Sequence, residues 1–270
     1  MDNPVFVNFE CYSSGVALLT LDNPPLNLNT LTTINKLKEL FVKIADDPNI
    51  RVLIITGKGN RAFCAGSDIS EFSQVRNNVV EKKLAKENEA FSAIEEAPIP
   101  VIAALNGVTL GGGAEIALAC DIRIIDETAT IGFPEVNLGV FPGSGGVFRL
   151  PRLVGPGRAY ELLYTGDIID SQEAYRIGLV NRVAPEGKAL AVAMELAQTL
   201  AKKPALALSL IRSGVKDSEF QTTAEATKRT LNDSHLVFSG PDIEEGMSAF
   251  FEKRPPVFNA PRFKETENYE

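Results

Sequence analysis

The chain has 270 residues, of which 44% are hydrophobic, and its formal net charge is −8. This length and apolar content predict a globular protein with one large core, or a core plus an appended region. The acidic balance argues against nucleic-acid binding and against a membrane-surface protein, because both need a basic face.

The cysteines and the N-terminal residues bear on the compartment. Cys11, Cys64 and Cys120 are widely spaced and form no CxxC pair. An odd number of cysteines without such a pair predicts buried thiols in a reducing compartment, not a disulfide framework or a zinc site. The first ten residues carry no basic segment, and no run approaches 18 apolar residues. We therefore expect a soluble, cytoplasmic protein with no membrane partner.

The first half of the chain alternates strands with helices. Apolar and β-branched runs bounded by turn residues predict four strands, at residues 5–10, 16–21, 51–56 and 101–105. Apolar residues spaced three and four apart predict a helix over residues 31–44, with Thr30 as its N-cap and Asp47-Pro48 at its end. A second helical segment covers residues 74–95. This order favours an α/β fold with parallel strand pairing.

The second half of the chain is mostly helical. Two further strands are predicted, at residues 122–125 and 179–183. Helical patterns cover residues 147–153, 157–164, 171–177, 187–203, 205–216 and 242–253. No convincing strand follows residue 205. We therefore predict an α/β core over residues 1–204 and a C-terminal helical region over residues 205–270.

Residues 103–121, AALNGVTLGGGAEIALACD, organise the rest of the chain. Three glycines, 111–113, separate an apolar strand from a helix that has Glu115 in its first turn. Because the first N–H groups of a helix lack intrahelical partners, this corner offers a site for an anion, or for an oxygen that becomes negative during a reaction. A tight turn followed by a favourable first-turn acid explains the same residues, and the stretch alone does not separate the two interpretations.

Several catalytic arrangements are excluded or weak. A Ser/His/Asp triad is disfavoured, because the one histidine, His235, lies in the helical tail, far along the chain from every glycine-rich loop. Ser144 lacks the G-x-S-x-G spacing because residue 142 is proline. Residues 57–62, GKGNRA, satisfy the dinucleotide pattern G-x-G-x-x-A, but the sequence continues as a loop where a helix should begin.

A pair of carboxylates and two loops remain as candidates. Glu135 follows Glu115 by 20 residues, and the strand between them can return the chain to the same pocket. Two carboxyl groups in a partly apolar site repel when both are charged, so one can hold a proton while the other acts as a base. Glu135 also fits an exposed loop acid. The loop over residues 65–68 offers another backbone N–H, and it equally fits an Asx or serine turn.

Six motifs, in order along the chain, resemble the enoyl-CoA hydratase/isomerase family, the crotonase superfamily. They are AFCAGSDI (62–69), PVIAALNGVTLGGGAEIALACD (100–121), FPEVNLGVFPGSGG (133–146), RLPRLVG (149–155), EAYRIGLVNRV (173–183) and EGMSAFFEKRPPVF (245–258). The resemblance implies an α/β fold, a crotonase-like spiral of ββα units, with C-terminal helices that build a homotrimer or a homohexamer. It also implies an acyl-CoA thioester substrate and no metal or redox cofactor.

The resemblance also assigns roles to residues. The backbone N–H groups of Ser67 and Gly112 would form the oxyanion hole for the thioester carbonyl. Glu115 and Glu135 would be the acid/base pair of a hydratase, with Glu115 activating the water and Glu135 protonating the α-carbon. The physical logic agrees, because polarising the thioester makes the β-carbon electrophilic and stabilises the charge that builds on oxygen.

The same resemblance predicts where the substrate binds and shows where this chain departs from the family pattern. The acyl-CoA substrate would be bound at Ala65, Ser67, Asp68, Ile69 and Gly112, with Ala65, Asp68 and Ile69 at the CoA moiety. Five positions depart from the family pattern: Ser67 replaces an alanine, Ser70 replaces a lysine, and Phe133 and the pair Val147-Phe148 replace polar residues. The acyl pocket is therefore expected to differ from that of a plain hydratase.

The leading hypothesis is a lyase, an enoyl-CoA hydratase of fatty-acid or related acyl-CoA metabolism. An enoyl-CoA double-bond isomerase is the alternative within the fold, and it typically keeps one catalytic acid where this chain has two. A non-catalytic relative that binds acyl-CoA or RNA is the alternative from another class, and the acidic charge disfavours RNA. The sequence does not decide the acyl group, the pathway, or trimer against hexamer.

Overall fold

The computed structural model describes residues 6–262, without the side chain of Ser73. The start of the first predicted strand, at residue 5, and the end of the predicted C-terminal region, residues 263–270, lie outside the described residues. The strands are β1 (Val7–Cys11), β2 (Val16–Leu21), β3 (Val52–Gly57), β4 (Ala62–Cys64), β5 (Val101–Leu105), β6 (Val108–Leu110), β7 (Ile122–Asp126), β8 (Thr130–Gly132), β9 (Ile168–Asp170) and β10 (Arg182–Ala184).

Helices account for most of the remaining described residues. They are α1 (Leu31–Asp46), α2 (Ile69–Val75), α3 (Ala85–Glu96), α4 (Gly112–Ala119), α5 (Gly146–Thr165), α6 (Ser171–Arg176), α7 (Ala189–Leu200), α8 (Ala205–Asp217), α9 (Thr223–Phe238) and α10 (Pro241–Glu252). Short 3₁₀ turns cover Arg76–Asn78, Pro134–Leu138 and Ser218–Phe220, and a π turn covers Val80–Leu84.

The strands form two sheets that the chain visits in turn. The larger sheet has the order β1-β2-β3-β5-β7-β10, and the smaller has the order β4-β6-β8-β9. Apart from the antiparallel pairs β1/β2 and β8/β9, neighbouring strands are parallel. The pairs β3-β4, β5-β6 and β7-β8 each place one strand in each sheet before a helical segment follows. This repetition confirms the α/β fold and the predicted spiral of ββα units.

Local signals located helices α1 and α5 correctly. The Thr30 hydroxyl accepts a hydrogen bond from the backbone N–H of Thr33 at 3.1 Å, so it caps α1 as predicted, and α1 ends one residue before Asp47. The helices predicted over residues 147–153 and 157–164 are the two parts of α5. They are separated at Gly155, whose φ of 76° a residue with a side chain rarely adopts.

The errors are in two helical regions and in the short strands. No predicted helix covers α9, and the helix predicted over residues 74–95 is divided between α2, a 3₁₀ turn, a π turn and α3. The strand predicted over residues 179–183 is wrong at its start, because the chain enters β10 at Arg182 and pairs there with β7. Strands β4, β6 and β9, of three residues each, lie outside the predicted strands. Because β4 occupies Ala62–Cys64, no helix follows the GKGNRA segment, and the dinucleotide interpretation fails.

Two layers of helices enclose the larger sheet. Helices α1, α3 and α4 pack on one face around Phe41, Phe91 and Leu105, all of which are buried. Helix α7 covers the other face with small residues, Ala189, Ala193 and Ala197, which let it lie close to the strands. None of the helices within residues 6–262 has both the length and the apolar character needed to cross a membrane.

Helices α8 to α10 follow Pro204, and the chain then returns to the core. The buried guanidinium of Arg262 donates hydrogen bonds of 2.6 to 2.9 Å to the backbone carbonyls of Ile44, Ala45, Asp47 and Ile50, at and beyond the C-terminal end of α1. The last carbonyls of a helix lack intrahelical N–H partners, so the arginine supplies donors at this end of α1. The Asp47 carbonyl also accepts from the Ile50 N–H at 3.3 Å. The boundary between residues 204 and 205 stays a prediction.

Candidate active site

The smaller sheet brings the predicted site residues together. Its strands β4, β6 and β8 run parallel, so their carboxyl ends lie at one edge. Ser67, Gly112 and Glu135 follow these three strand ends by two or three residues each. Ligands of parallel sheets bind at this edge, because the loops that leave it are adjacent in space although distant in sequence.

Two backbone N–H groups point into this edge. Gly112 is the first residue of α4, where an N–H has no intrahelical acceptor. Ser67 lies opposite Asn29 in an isolated parallel β-bridge, in which the N–H of Asn29 donates to Gly66 and the N–H of Asp68 donates to Asn29. The bridge therefore uses the neighbours of Ser67 and leaves its own N–H facing away from Asn29. A Cβ placed on Gly112 would lie 3.5 Å from the Ser67 nitrogen.

The other two glycines of the run have structural reasons to be there. Gly111 has a φ of 51°, which turns the chain from β6 into α4. A Cβ on Gly113 would lie 2.1 Å from the carbonyl oxygen of Cys64, so α4 can approach β4 only without a side chain there. The tight-turn interpretation thus explains Gly111 and Gly113, and it leaves the N–H of Gly112 as the group directed into the site.

Glu115 lies one turn into α4 and is 2% exposed. Its Oε1 accepts hydrogen bonds of 2.8 Å from the backbone N–H groups of Ser144 and Gly146, which fix the carboxyl group. The pKa of Glu115 is raised to about 8, and burial is the main cause. The charges of Glu135 and Glu87 raise it as well, whereas the two hydrogen bonds lower it. Glu115 therefore holds a proton near neutral pH.

Glu135 reaches the same site from the loop after β8. It lies on the 3₁₀ turn Pro134–Leu138 and is half-buried, so the exposed-acid interpretation does not hold. Its Oε1 lies 3.1 Å from where a Cβ on Gly111 would be, and its buried Oε2 has no hydrogen-bond partner within the described residues. Burial raises the pKa of Glu135 to about 6. Two carboxyl groups with raised pKa values thus share the site.

Sequence reasoning missed a buried polar network behind the site. Glu87, 1% exposed, accepts hydrogen bonds from the hydroxyls of Ser67 at 2.7 Å and Ser144 at 2.6 Å. The Lys83 ammonium lies 3.6 Å from Glu87 and 2.6 Å from Glu71. One carboxylate therefore joins the loop that holds the Ser67 N–H to the loop that holds Glu115. These acids and the lysine have the composition of a solvated helix face, and only their burial reveals them.

The residues predicted to bind CoA lie around Ser67. The Ala65 N–H donates to the carbonyl of Leu26 at 3.0 Å, and Ile69 is 59% exposed. The Asp68 carboxylate caps α2 by accepting from the Ser70 N–H at 2.9 Å and hydroxyl at 2.7 Å, which are hydrogen bonds that lower its pKa. The Asx-turn interpretation is therefore correct for the Asp68 side chain. Contact of these residues with CoA stays a prediction.

The positions that depart from the family pattern fall in different surroundings. Phe133 is fully buried in the main core. The Phe148 ring lies beneath the guanidinium groups of Arg149 and Arg152, at 4.7 and 5.4 Å from its centroid. Phe133 is therefore fixed by the core, whereas Phe148 is 45% exposed. After Glu135 the loop exposes a run of large apolar side chains, namely Val136, Leu138, Val140 and Phe141.

Known proteins that are similar to this chain include enoyl-CoA hydratases. Residues 12–261 match the family model described as enoyl-CoA hydratase/isomerase. The crotonyl-CoA hydratase of Syntrophomonas wolfei is 41% identical over 239 residues, which cover 87% of this chain and 92% of that protein. The short-chain-enoyl-CoA hydratase of Clostridium acetobutylicum is 37% identical over 243 residues, which cover 88% and 92%.

A solved structure shares the fold over almost its whole length. The crystal structure of enoyl-CoA hydratase from Bacillus anthracis superposes with a TM-score of 0.91 at 35% identity. The superposition covers 94% of this chain and 99% of that one. The similarity therefore extends over both sheets and the C-terminal helices.

Proposed function

This chain belongs to the enoyl-CoA hydratase/isomerase family, and we propose that it adds water across the 2,3 double bond of 2-enoyl-CoA thioesters, as a hydro-lyase of fatty-acid or related acyl-CoA metabolism. One observation carries the proposal. Two glutamates with raised pKa values stand beside two backbone N–H donors at one edge of the smaller sheet. Relatives described as crotonyl-CoA and short-chain-enoyl-CoA hydratases support the same reaction.

The N–H groups of Ser67 and Gly112 form the proposed oxyanion hole. As the oxygen of water bonds to C3, the electrons of the double bond move toward the thioester carbonyl, and negative charge develops on its oxygen. Donors that are already oriented stabilise this charge without reorganisation during the reaction. Gly112 sits at the N-terminus of α4, whose partial positive charge acts in the same direction.

Glu115 and Glu135 supply the proton transfers. One carboxylate takes a proton from the attacking water, and the other carboxyl group, in its protonated form, gives a proton to C2. The higher pKa places the shared proton on Glu115 in the free enzyme, whereas the family's division of roles needs it on Glu135. Because the two charges interact, we assign the acid and the base to the pair and not to either residue.

The remaining parts of the substrate are assigned by position. The loop of Ala65, Asp68 and Ile69 is proposed to hold the CoA moiety, partly through backbone groups beside Ser67. The exposed apolar run from Val136 to Phe141, next to Glu135, suits an apolar acyl chain. We propose that no metal or redox cofactor takes part, because the N–H donors and the carboxyl pair supply both charge stabilisation and proton transfer.

An isomerase is the second candidate, since it moves a double bond with one acid in the same fold. The placement of both glutamates in one site favours the hydratase. The deciding experiment offers the enzyme crotonyl-CoA, then longer, branched and aromatic 2-enoyl-CoA thioesters, and separately a 3-enoyl-CoA thioester. It follows the absorbance of the conjugated thioester, which hydration removes. Hydration of any of them supports the proposal, and conversion only of 3-enoyl to 2-enoyl thioesters, which gains that absorbance, contradicts it.

The pH dependence of kcat/KM is expected to be bell-shaped, with apparent pKa values near 6 and 8. Below the lower value both carboxyl groups are protonated and no base is present. Above the upper value both are ionised and no acid is present. Initial rates of hydration from pH 5 to 9.5, at substrate concentrations far below KM, measure the profile. Activity that rises to a plateau above pH 9 would show that no protonated carboxyl group is needed.

We also propose that the chain acts as a homotrimer or homohexamer, without nucleic-acid or membrane partners. The C-terminal helices expose Phe238, Phe250 and Phe251 by 70 to 79%, which is unfavourable for a free surface. Neighbouring subunits are expected to cover these rings.

Replacing Phe250 and Phe251 together by aspartate is expected to convert the oligomer to a 29.2 kDa monomer, because two charges cannot be buried in an apolar interface. Light scattering at micromolar concentration measures the mass. The control is Val42→Asp, which places a charge at a residue of α1 that is 58% exposed and should leave the mass unchanged. A wild-type monomer at this concentration would contradict the assembly.

A further inference from the structure

The side chain of Asn29 is buried without a partner. Asn29 is 0% exposed, and within residues 6–262 neither its Nδ2 nor its Oδ1 has a hydrogen-bond partner. Its backbone is fully used, because its N–H donates to Gly66 and its carbonyl accepts from Asp68, both at 2.9 Å. The unpartnered groups therefore belong to the side-chain amide alone.

The Asn29 amide lies against the proposed oxyanion hole. Asn29 and Ser67 are opposite each other in a parallel bridge, so their side chains project to the same side. Gly112 occupies that side: a Cβ placed on it would lie 3.2 Å from Asn29 Nδ2 and 2.9 Å from Ser67 Oγ. The Ser67 hydroxyl already donates to Glu87, so its proton is in use. Asn29 Nδ2 is the side-chain donor left facing Gly112.

The protein gains nothing from this amide when the site holds no substrate. A buried amide without a hydrogen bond destabilises the folded state, and a leucine of similar volume would remove that cost. The other buried asparagine of the same loop, Asn27, has its needs met: its Nδ2 donates to Lys58 and Ala62, and its Oδ1 accepts from Asn23. The contrast within one loop indicates that the partner of the Asn29 amide is a ligand.

We propose that Asn29 is a third donor of the oxyanion hole, giving a hydrogen bond from Nδ2 to the thioester oxygen of the bound acyl-CoA. The inference rests on the proposed function, which supplies that oxygen. The bond strengthens as negative charge develops on the oxygen, so it acts mainly on kcat. Asn29 is then a catalytic residue.

Asn29→Leu tests the inference through stability and rate together. The variant is expected to raise the melting temperature of the free enzyme by about 2 to 4 °C, because an unpartnered polar group is removed. It is also expected to lower kcat for crotonyl-CoA by about 10- to 100-fold, the effect of losing a hydrogen bond to a charged oxygen. A lower melting temperature or an unchanged kcat would overturn the inference. So would a loss confined to acyl groups that carry a polar substituent.

Asn106→Leu is the matched stability control, since its amide is fully engaged. Asn106 Nδ2 donates to the carbonyls of Gly57 and Gly59, and its Oδ1 accepts from the Gly57 N–H at 3.0 Å. The control is expected to lower the melting temperature, in the opposite direction to Asn29→Leu. If Asn29→Leu folds poorly, Asn29→Ala removes the amide without adding methyl groups and takes its place in the measurements.

Infrared spectra separate this inference from the proposed function. Butanoyl-CoA labelled with ¹³C at the thioester carbonyl has no double bond to hydrate and reports hydrogen bonding to its oxygen. On the wild-type enzyme the carbonyl stretching frequency is expected to fall below its value in water. On Asn29→Leu the frequency is expected to fall by less. No shift on the wild type would contradict the oxyanion hole itself. An equal shift on both proteins would contradict the third donor alone.

Discussion

Gly112→Pro is expected to lower kcat about 10²- to 10³-fold relative to Gly112→Ala, the loss measured when one oxyanion donor is removed from other enzymes. Proline deletes the N–H that the hypothesis assigns to the thioester oxygen. The helix should tolerate it, because Gly112 is the first residue of α4, where proline is favoured and no intrahelical bond is lost. Steady-state hydration of crotonyl-CoA measures the ratio.

Gly112→Ala is the matched control for this change. Both substitutions place a Cβ 2.9 Å from Ser67 Oγ, so alanine reproduces the displacement that the Cβ causes. Proline differs in that its ring carbon replaces the hydrogen of the N–H. Circular dichroism and thermal melting should show two folded proteins of similar stability. Equal kcat values for the two variants would mean that the Gly112 N–H does not bind the substrate oxygen.

Ser67 contributes differently from Gly112. Its hydroxyl donates to Glu87, and its backbone N–H is the group that faces the site. From the sequence, serine in place of alanine is predicted to have no effect, since either residue supplies the backbone N–H. The structure instead gives the hydroxyl a partner that is 1% exposed, on α3.

The parts of the site that are local in sequence could be predicted. The glycine run, the first turn of α4 and Glu115 lie within five residues, so chain geometry alone indicates an N–H donor near a carboxyl group. Glu135 needed the family resemblance, because its position depends on the pairing of β6 with β8. The pairing of three-residue strands leaves little pattern in the sequence.

The network behind the site could not be predicted. Lys83 and Glu87 are fully buried, yet lysine and glutamate in a helical segment ordinarily indicate a solvated face. Their burial depends on Glu71 from α2 and on the hydroxyls of Ser67 and Ser144, which come from three separate loops and helices. Asn29 could not be predicted either, because a polar residue in an Asn- and Pro-rich loop is typical of a turn. Only the absence of hydrogen-bond partners for its side chain distinguishes it.

The environment of Glu115 links catalysis to stability. Its pKa in the folded protein, about 8, lies above the ordinary 4.5 of the unfolded chain. The folded state therefore holds the proton that the unfolded state has lost, and the stability that the protonated group allows declines as the pH rises from about 4.5 to about 8. Glutamine does not titrate, so Glu115→Gln escapes this decline. The variant should melt higher relative to the wild type at pH 8 than at pH 5, which also verifies that it is folded.

Glu115→Gln and Glu135→Gln are each expected to lower kcat by about 10²- to 10⁴-fold with KM little changed. Glutamine keeps the size of the side chain and can still accept from the Ser144 and Gly146 N–H groups, but it transfers no proton, and general acid–base catalysis contributes a factor of this order. Because both residues act on one water, the double variant should lose much less than the product of the two single losses. Saturating and single-turnover rates of crotonyl-CoA hydration measure all three variants.

Glu173→Gln, on the surface helix α6 beside Arg176, is the control and should retain full activity. Should Glu135→Gln hydrate at nearly the wild-type rate while Glu115→Gln does not, the site has one working acid, and double-bond isomerisation replaces hydration as its reaction.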